Sequence, residues 1–95
     1  MGDLSHLVET VVDEYAVDTF DGVMYAMHND AKTAFSVIFA GDGSVLPVVL
    51  ARIANDLIIV ERDQTNKPLV DALVQAGVPR ERIILAYAGE TLETA

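Results

Sequence analysis

Between Val23 and Val60 the chain runs through four extended apolar segments joined by very short connections. Parallel strands need a dozen or more residues to return to the same end of a sheet, so segments joined this tightly must lie antiparallel. The first is Val23 to His28, followed by the hairpin-loop chemistry of Asn29-Asp30-Ala31-Lys32. The second, Thr33 to Ala40, sets Phe35, Val37 and Phe39 on one face and Ala34, Ser36 and Ile38 on the other. Gly41-Asp42-Gly43-Ser44 is the clearest turn, and it leads into Val45 to Ala54. Pro47 lacks a ladder donor, which marks that end as an edge or a bulge. Asn55-Asp56 then turns the chain into Leu57 to Val60.

Helical patterns flank this meander. From Asp3 to Ala16, the residues Leu4, Leu7, Val8, Val11, Val12 and Tyr15 recur at helical spacing, with Asp3 as N-cap. Val17 to Gly22 reads as a connection. A second helix spans about Lys67 to Ala76, capped by Thr65 or Asn66, with Leu69, Val70, Leu73 and Val74 as its buried stripe. Gly77 stops it at C′, Val78-Pro79 prevents a restart, and Ile83 to Tyr87 reads as a last, fully buried strand. The order α-β-β-β-β-α-β implies an α+β fold: a mainly antiparallel sheet with both helices packed on one face, in a single domain covering residues 1–95.

Composition narrows what such a domain does. Hydrophobic residues make up 52% of 95. That excess fills a two-layer core or forms a patch buried against a copy or a partner, and the expectation is a homo-oligomer, most simply a dimer. No apolar run approaches the ~20 residues of a membrane span, and no signal peptide is evident, so a cytoplasmic protein is expected. With no cysteine there is neither a disulfide framework nor thiolate chemistry. Net charge is −9, and six carboxylates from Asp3 to Asp21 precede the first basic residue, Lys32. Such a field repels phosphate and favours a basic protein partner, or it serves solubility alone, so no direct nucleic-acid binding is expected.

Chemistry-bearing motifs are sparse. Gly41-Asp42-Gly43-Ser44 lacks the lysine and following helix of a phosphate loop. His6 and His28 have no second ligand at helical or hairpin spacing. Glu61 and Asp63 would share a face if the strand continued, holding a hard cation with Asp56 or Thr65; otherwise they form a solvated strand exit facing Arg62 and Lys67. On the second reading both are exposed, and Glu61→Gln and Asp63→Asn are silent for folding. No catalytic residue, metal ligand or cofactor is assigned.

The second half carries a family pattern. The segment from Asp56 to Thr65, followed by Leu69 to Tyr87, resembles the XisI-like family, the fdxN-element excision controlling factors. Thr65, Leu73, Val74, Ala76, Gly77, Pro79, Ile83 and Leu85 match that pattern as they stand, and Glu14-Tyr15-Ala16 is similar to the end of the family's first helix. Ile59 stands where the family usually has tryptophan and Ala88 where it usually has histidine. The family's aromatic closing tail is replaced by Gly89 to Ala95. The resemblance implies an accessory factor, not an enzyme, associated with regulated excision of a DNA element and working beside a nuclease-like, XisH-like partner protein. Glu61, Asp63, Thr65 and Tyr87 are the partner-binding residues that this reading selects. An antitoxin-like inhibitor and a small-ligand sensor with a pocket between sheet and helices are the alternatives.

Overall fold

The computed structural model describes residues 4–41 and 43–90. Helix α1 (Leu4–Asp13) is followed by strands β1 (Asp18–Thr19), β2 (Gly22–His28), β3 (Ala34–Gly41), β4 (Ser44–Ala54) and β5 (Leu57–Asp63), helix α2 (Leu69–Gln75) and strand β6 (Ile83–Leu85). The six strands form one sheet in sequence order, antiparallel except for β6, which lies parallel to β5 after the α2 crossover. The fold is therefore α+β with a mainly antiparallel sheet. The proposed Asp3 cap lies outside the described residues.

Local chemistry explains the turns. Asn29 takes the carbonyls' usual role in its hairpin: its Oδ1 accepts from the N–H groups of Thr33 and Ala34 at 2.9 and 3.1 Å. Asn55 and Asp56 both adopt positive φ, 54° and 63°, the twist a two-residue hairpin turn requires between Ala54 and Leu57. Gly77, at φ 111°, closes α2 in a Schellman motif: Val78 N donates to Leu73 O and Gly77 N to Val74 O, both at 3.0 Å.

Both helices cover the same face of the sheet. Val8, Val11 and Val12 of α1 and Leu69, Ala72 and Leu73 of α2 bury against Phe35, Val37, Val49, Ala51, Ile58, Val60 and Ile83. Ion pairs fasten α1 to the β2–β3 hairpin, with Glu9 3.4 Å from His28 and 3.3 Å from Lys32.

The structure corrects four expectations. The Val17 to Gly22 connection contains the short strand β1, paired through Asp18–Val23 and Thr19–Gly22. Helix α2 begins at Leu69, two residues later than expected, because Pro68 occupies the N-cap position and no side chain of Thr65 or Asn66 caps it. Strand β6 stops at Leu85, and Tyr87 lies half-exposed on a 3₁₀ turn, Ala86–Ala88. An edge strand has a ladder on one side only, so this one is too short to be fully buried. Finally, Pro47 sits at both a bulge and a local edge: the β3–β4 register shifts between Val37 and Ile38, and β5 registers with β4 only from Val49 onward.

Candidate protein-interaction site

Three of the four residues selected from sequence converge at the start of α2. Asp63, half-buried at the end of β5, accepts from Leu69 N through Oδ2 at 2.6 Å, and from Thr65 N through Oδ1 at 3.0 Å. The Thr65 hydroxyl lies 2.6 Å from the same Oδ1 and 2.8 Å from the Lys67 carbonyl, two acceptors for one proton. Asp63 thus caps the helix from the preceding strand and binds an N–H that has no partner inside the helix. Its expected silence under substitution is overturned, because the carboxylate is engaged and not a solvated strand exit. Tyr15, which sequence reasoning passed over as a stripe residue, donates its hydroxyl to Lys67 O. Burial, then the Asp63 carboxylate, push the Tyr15 phenol up to about 12, while a hydrogen bond with Thr65 works the other way.

Tyr87 is placed against this cluster by Glu90, whose carboxylate accepts from Leu85 N at 2.8 Å and from the Arg80 guanidinium at 3.0 Å. The backbone N–H of Leu85, with Arg80, holds the Glu90 carboxyl below its usual range. Burial and the Asp63 and Asp71 carboxylates raise the Tyr87 phenol.

Glu61 is separated from the cluster. The β4–β5 register shifts between Leu50 and Ala51, which leaves Glu61 without a partner residue while Asp63 pairs with core Val49. A one-residue shift reverses the face a side chain takes. Glu61 therefore turns to the opposite face and binds Arg52 at 2.7 Å. The shared cation site is not formed, and among the described residues no group of three His, Asp or Glu side chains is arranged to hold a metal.

That opposite face has no helix over it. Registered partners share a face, so Val23, Tyr25 and Met27 of β2 line up with Ala40, Ile38 and Ser36 of β3, and these with Val45, Pro47 and Leu50 of β4. Tyr25, Met27 and Val45 are 52%, 55% and 73% exposed. Beside this face, Phe20 on the β1–β2 turn is fully exposed. Its turn is held by close backbone approach: a Cβ on Gly22 would lie 2.5 Å from the Ala40 carbonyl, and one on Gly41 would collide with that of Asp21. The aromatic ring is thus presented on a fixed turn between Asp18 and Asp21. Alternation alone gave no sign of it, since Phe20 falls between the periodic segments.

A groove of about 330 Å³ runs between the helices, lined by His6, Thr10, Glu14, Lys67 and Gln75. Among the described residues no polar or charged side chain is buried, so the groove lacks the enclosed convergent polar groups of a typical ligand pocket. No helix of the described residues is long and apolar enough to cross a membrane.

Comparison with known proteins gives one consistent answer. The family model described as XisI protein matches residues 5–94. The crystal structure of a XisI-like protein from Anabaena variabilis ATCC 29413 superposes with a TM-score of 0.70 at 24% identity, covering 85% of this chain and 81% of that one. That of the fdxN element excision controlling factor XisI from the same organism gives 0.67 at 24% identity, covering 87% and 88%. No curated protein matches the chain.

Proposed function

The chain belongs to the XisI protein family, and on that premise we propose that it is an excision controlling factor that works by binding, not by catalysis. Its partner is a nuclease-like, XisH-like protein, which it restrains or directs in the cytoplasm, and it acts as a homo-oligomer without gripping DNA itself. The observation that carries this reading is Phe20, fully exposed on a fixed turn and flanked by Asp18 and Asp21. Fully exposed aromatics have no role in their own fold, and aromatic residues are enriched among interface hot spots. The acidic flanks suit a basic rim on the partner, and a nuclease has basic surface because its substrate is phosphate. Asp63 and Thr65 support the fold at the α2 start, leaving Tyr87 and Glu61 as the accessible members of the expected set.

The test is co-expression of the tagged chain with a XisH-like protein. The parent retains the partner, Phe20→Ser loses it with an unchanged melting temperature, and rising salt weakens the complex. Retention by Phe20→Ser to the same extent as the parent overturns the assignment of this turn. Failure of the parent to retain any XisH-like protein overturns the partner reading. The interhelical groove favours the small-ligand sensor as the second reading.

A further inference from the structure

We infer that the open sheet face joins two copies of the chain, sheet against sheet; this rests on the homo-oligomer proposed above and assigns its surface. The edges are unsuited to the task. β1 has two residues and β6 three, too few to template pairing with a second sheet. The face is better suited, because its charge differs from the rest of the molecule. The chain carries −9, yet among the described residues the outer side of β2 to β5 projects one carboxylate, Glu61, already bound to Arg52. Arg62, registered with Leu50, adds a positive charge and donates to Pro47 O at 2.7 Å. Two identical acidic molecules repel wherever carboxylates meet, and here they do not meet. A basic partner, in contrast, is drawn to the acidic residues elsewhere and has no reason to choose this face.

The arrangement is self-complementary: one apolar row, Tyr25, Met27 and Leu50, faces its own copy across a twofold axis, with the two sheets about 10 Å apart. Four strands about 4.8 Å apart and about seven residues long at roughly 3.3 Å per residue give a plan area of roughly 450 Å². Side-chain relief raises the buried area towards, not beyond, the ~800 Å² per partner of a standard interface. The dimer is accordingly concentration-dependent, with a dissociation constant around micromolar.

Sedimentation equilibrium from nanomolar to high micromolar protein tests this. The parent mass rises from 10.2 kDa to twice that value. Leu50→Glu, which sets carboxylates against one another, weakens association by roughly ten-fold or more. Val74→Glu, on a half-exposed position of α2, leaves it unchanged. Because the chain has no cysteine, Met27→Cys supplies a unique thiol, and its maleimide labelling slows several-fold as the dimer forms while that of Val74→Cys does not. A dimer that persists in Leu50→Glu, with Met27→Cys labelled equally fast at all concentrations, overturns the face assignment and leaves the homo-oligomer standing. A parent that stays at 10.2 kDa throughout overturns both. A monomeric parent whose XisH-like partner is lost in Leu50→Glu gives the face to that partner and overturns the inference.

Discussion

Replacing Asp63 by asparagine tests the cap that joins β5 to α2. The carboxylate accepts two backbone N–H groups, from Leu69 at 2.6 Å and Thr65 at 3.0 Å, together with the Thr65 hydroxyl. Asparagine keeps one carbonyl oxygen. Its NH₂ group must then face one of those N–H donors, which is left unsatisfied. Losing a helix cap costs about 0.5–2 kcal/mol, and hydrogen bonds to charged groups contribute about 1.5–3 kcal/mol each. Asp63 is partly solvated, and water recovers part of both contributions. The expected cost is therefore about 1–2 kcal/mol for Asp63→Asn and about 2–3 kcal/mol for Asp63→Ala, which removes every acceptor. In a domain this small about 1 kcal/mol moves the melting temperature by about 4–8 °C, so Asp63→Asn should melt about 5–15 °C below the parent. Urea unfolding followed by far-UV circular dichroism reads the same loss as a lower midpoint at constant slope. Glu61→Gln is the control: its pairing with Arg52 is exposed and contributes under about 1 kcal/mol. Thr65→Ala, combined with Asp63→Asn, should be clearly less than additive, since both remove the same bond. An Asp63→Asn midpoint equal to that of the parent, or full additivity with Thr65→Ala, would show that the carboxylate does not cap α2.

Gly77→Val should cost about 1–3 kcal/mol through backbone strain alone, because φ is 111° and an added Cβ meets no neighbour; a thermal melt matching the parent would refute the Schellman closure. The raised Tyr15 phenol sets a sign: its stabilisation is complete below the unfolded value of about 10 and is lost as pH rises towards about 12. Urea midpoints should accordingly fall across that alkaline window, and less steeply in Tyr15→Phe; equal slopes would refute the link. The −9 chain should not shift duplex DNA at physiological salt in a gel assay, and salt-sensitive binding at micromolar protein would contradict the proposed role.

Much of the architecture is a property of contiguous residues and was legible without tertiary information. Period-two alternation placed Phe35, Val37 and Phe39 together, and they do share the core side of the sheet. Asn55-Asp56 and Gly77 encode their own backbone conformations, so the turn and the helix stop were fixed locally. The family pattern from Asp56 to Tyr87 was legible for the same reason.

Other features depend on which distant segments meet. Asp63 became a helix cap and Glu61 the partner of Arg52 because one bulge in β5 separates their faces, and a register shift leaves no mark on local periodicity. Tyr15 reaches Lys67 O only once α1 packs beside α2. Alternation also could not say which side of the sheet the helices would cover, since Tyr25, Met27 and Ile38 are as apolar as the residues opposite them. The hydrophobic excess was visible in composition; that part of it lies uncovered on one sheet face was decided when both helices packed on the other.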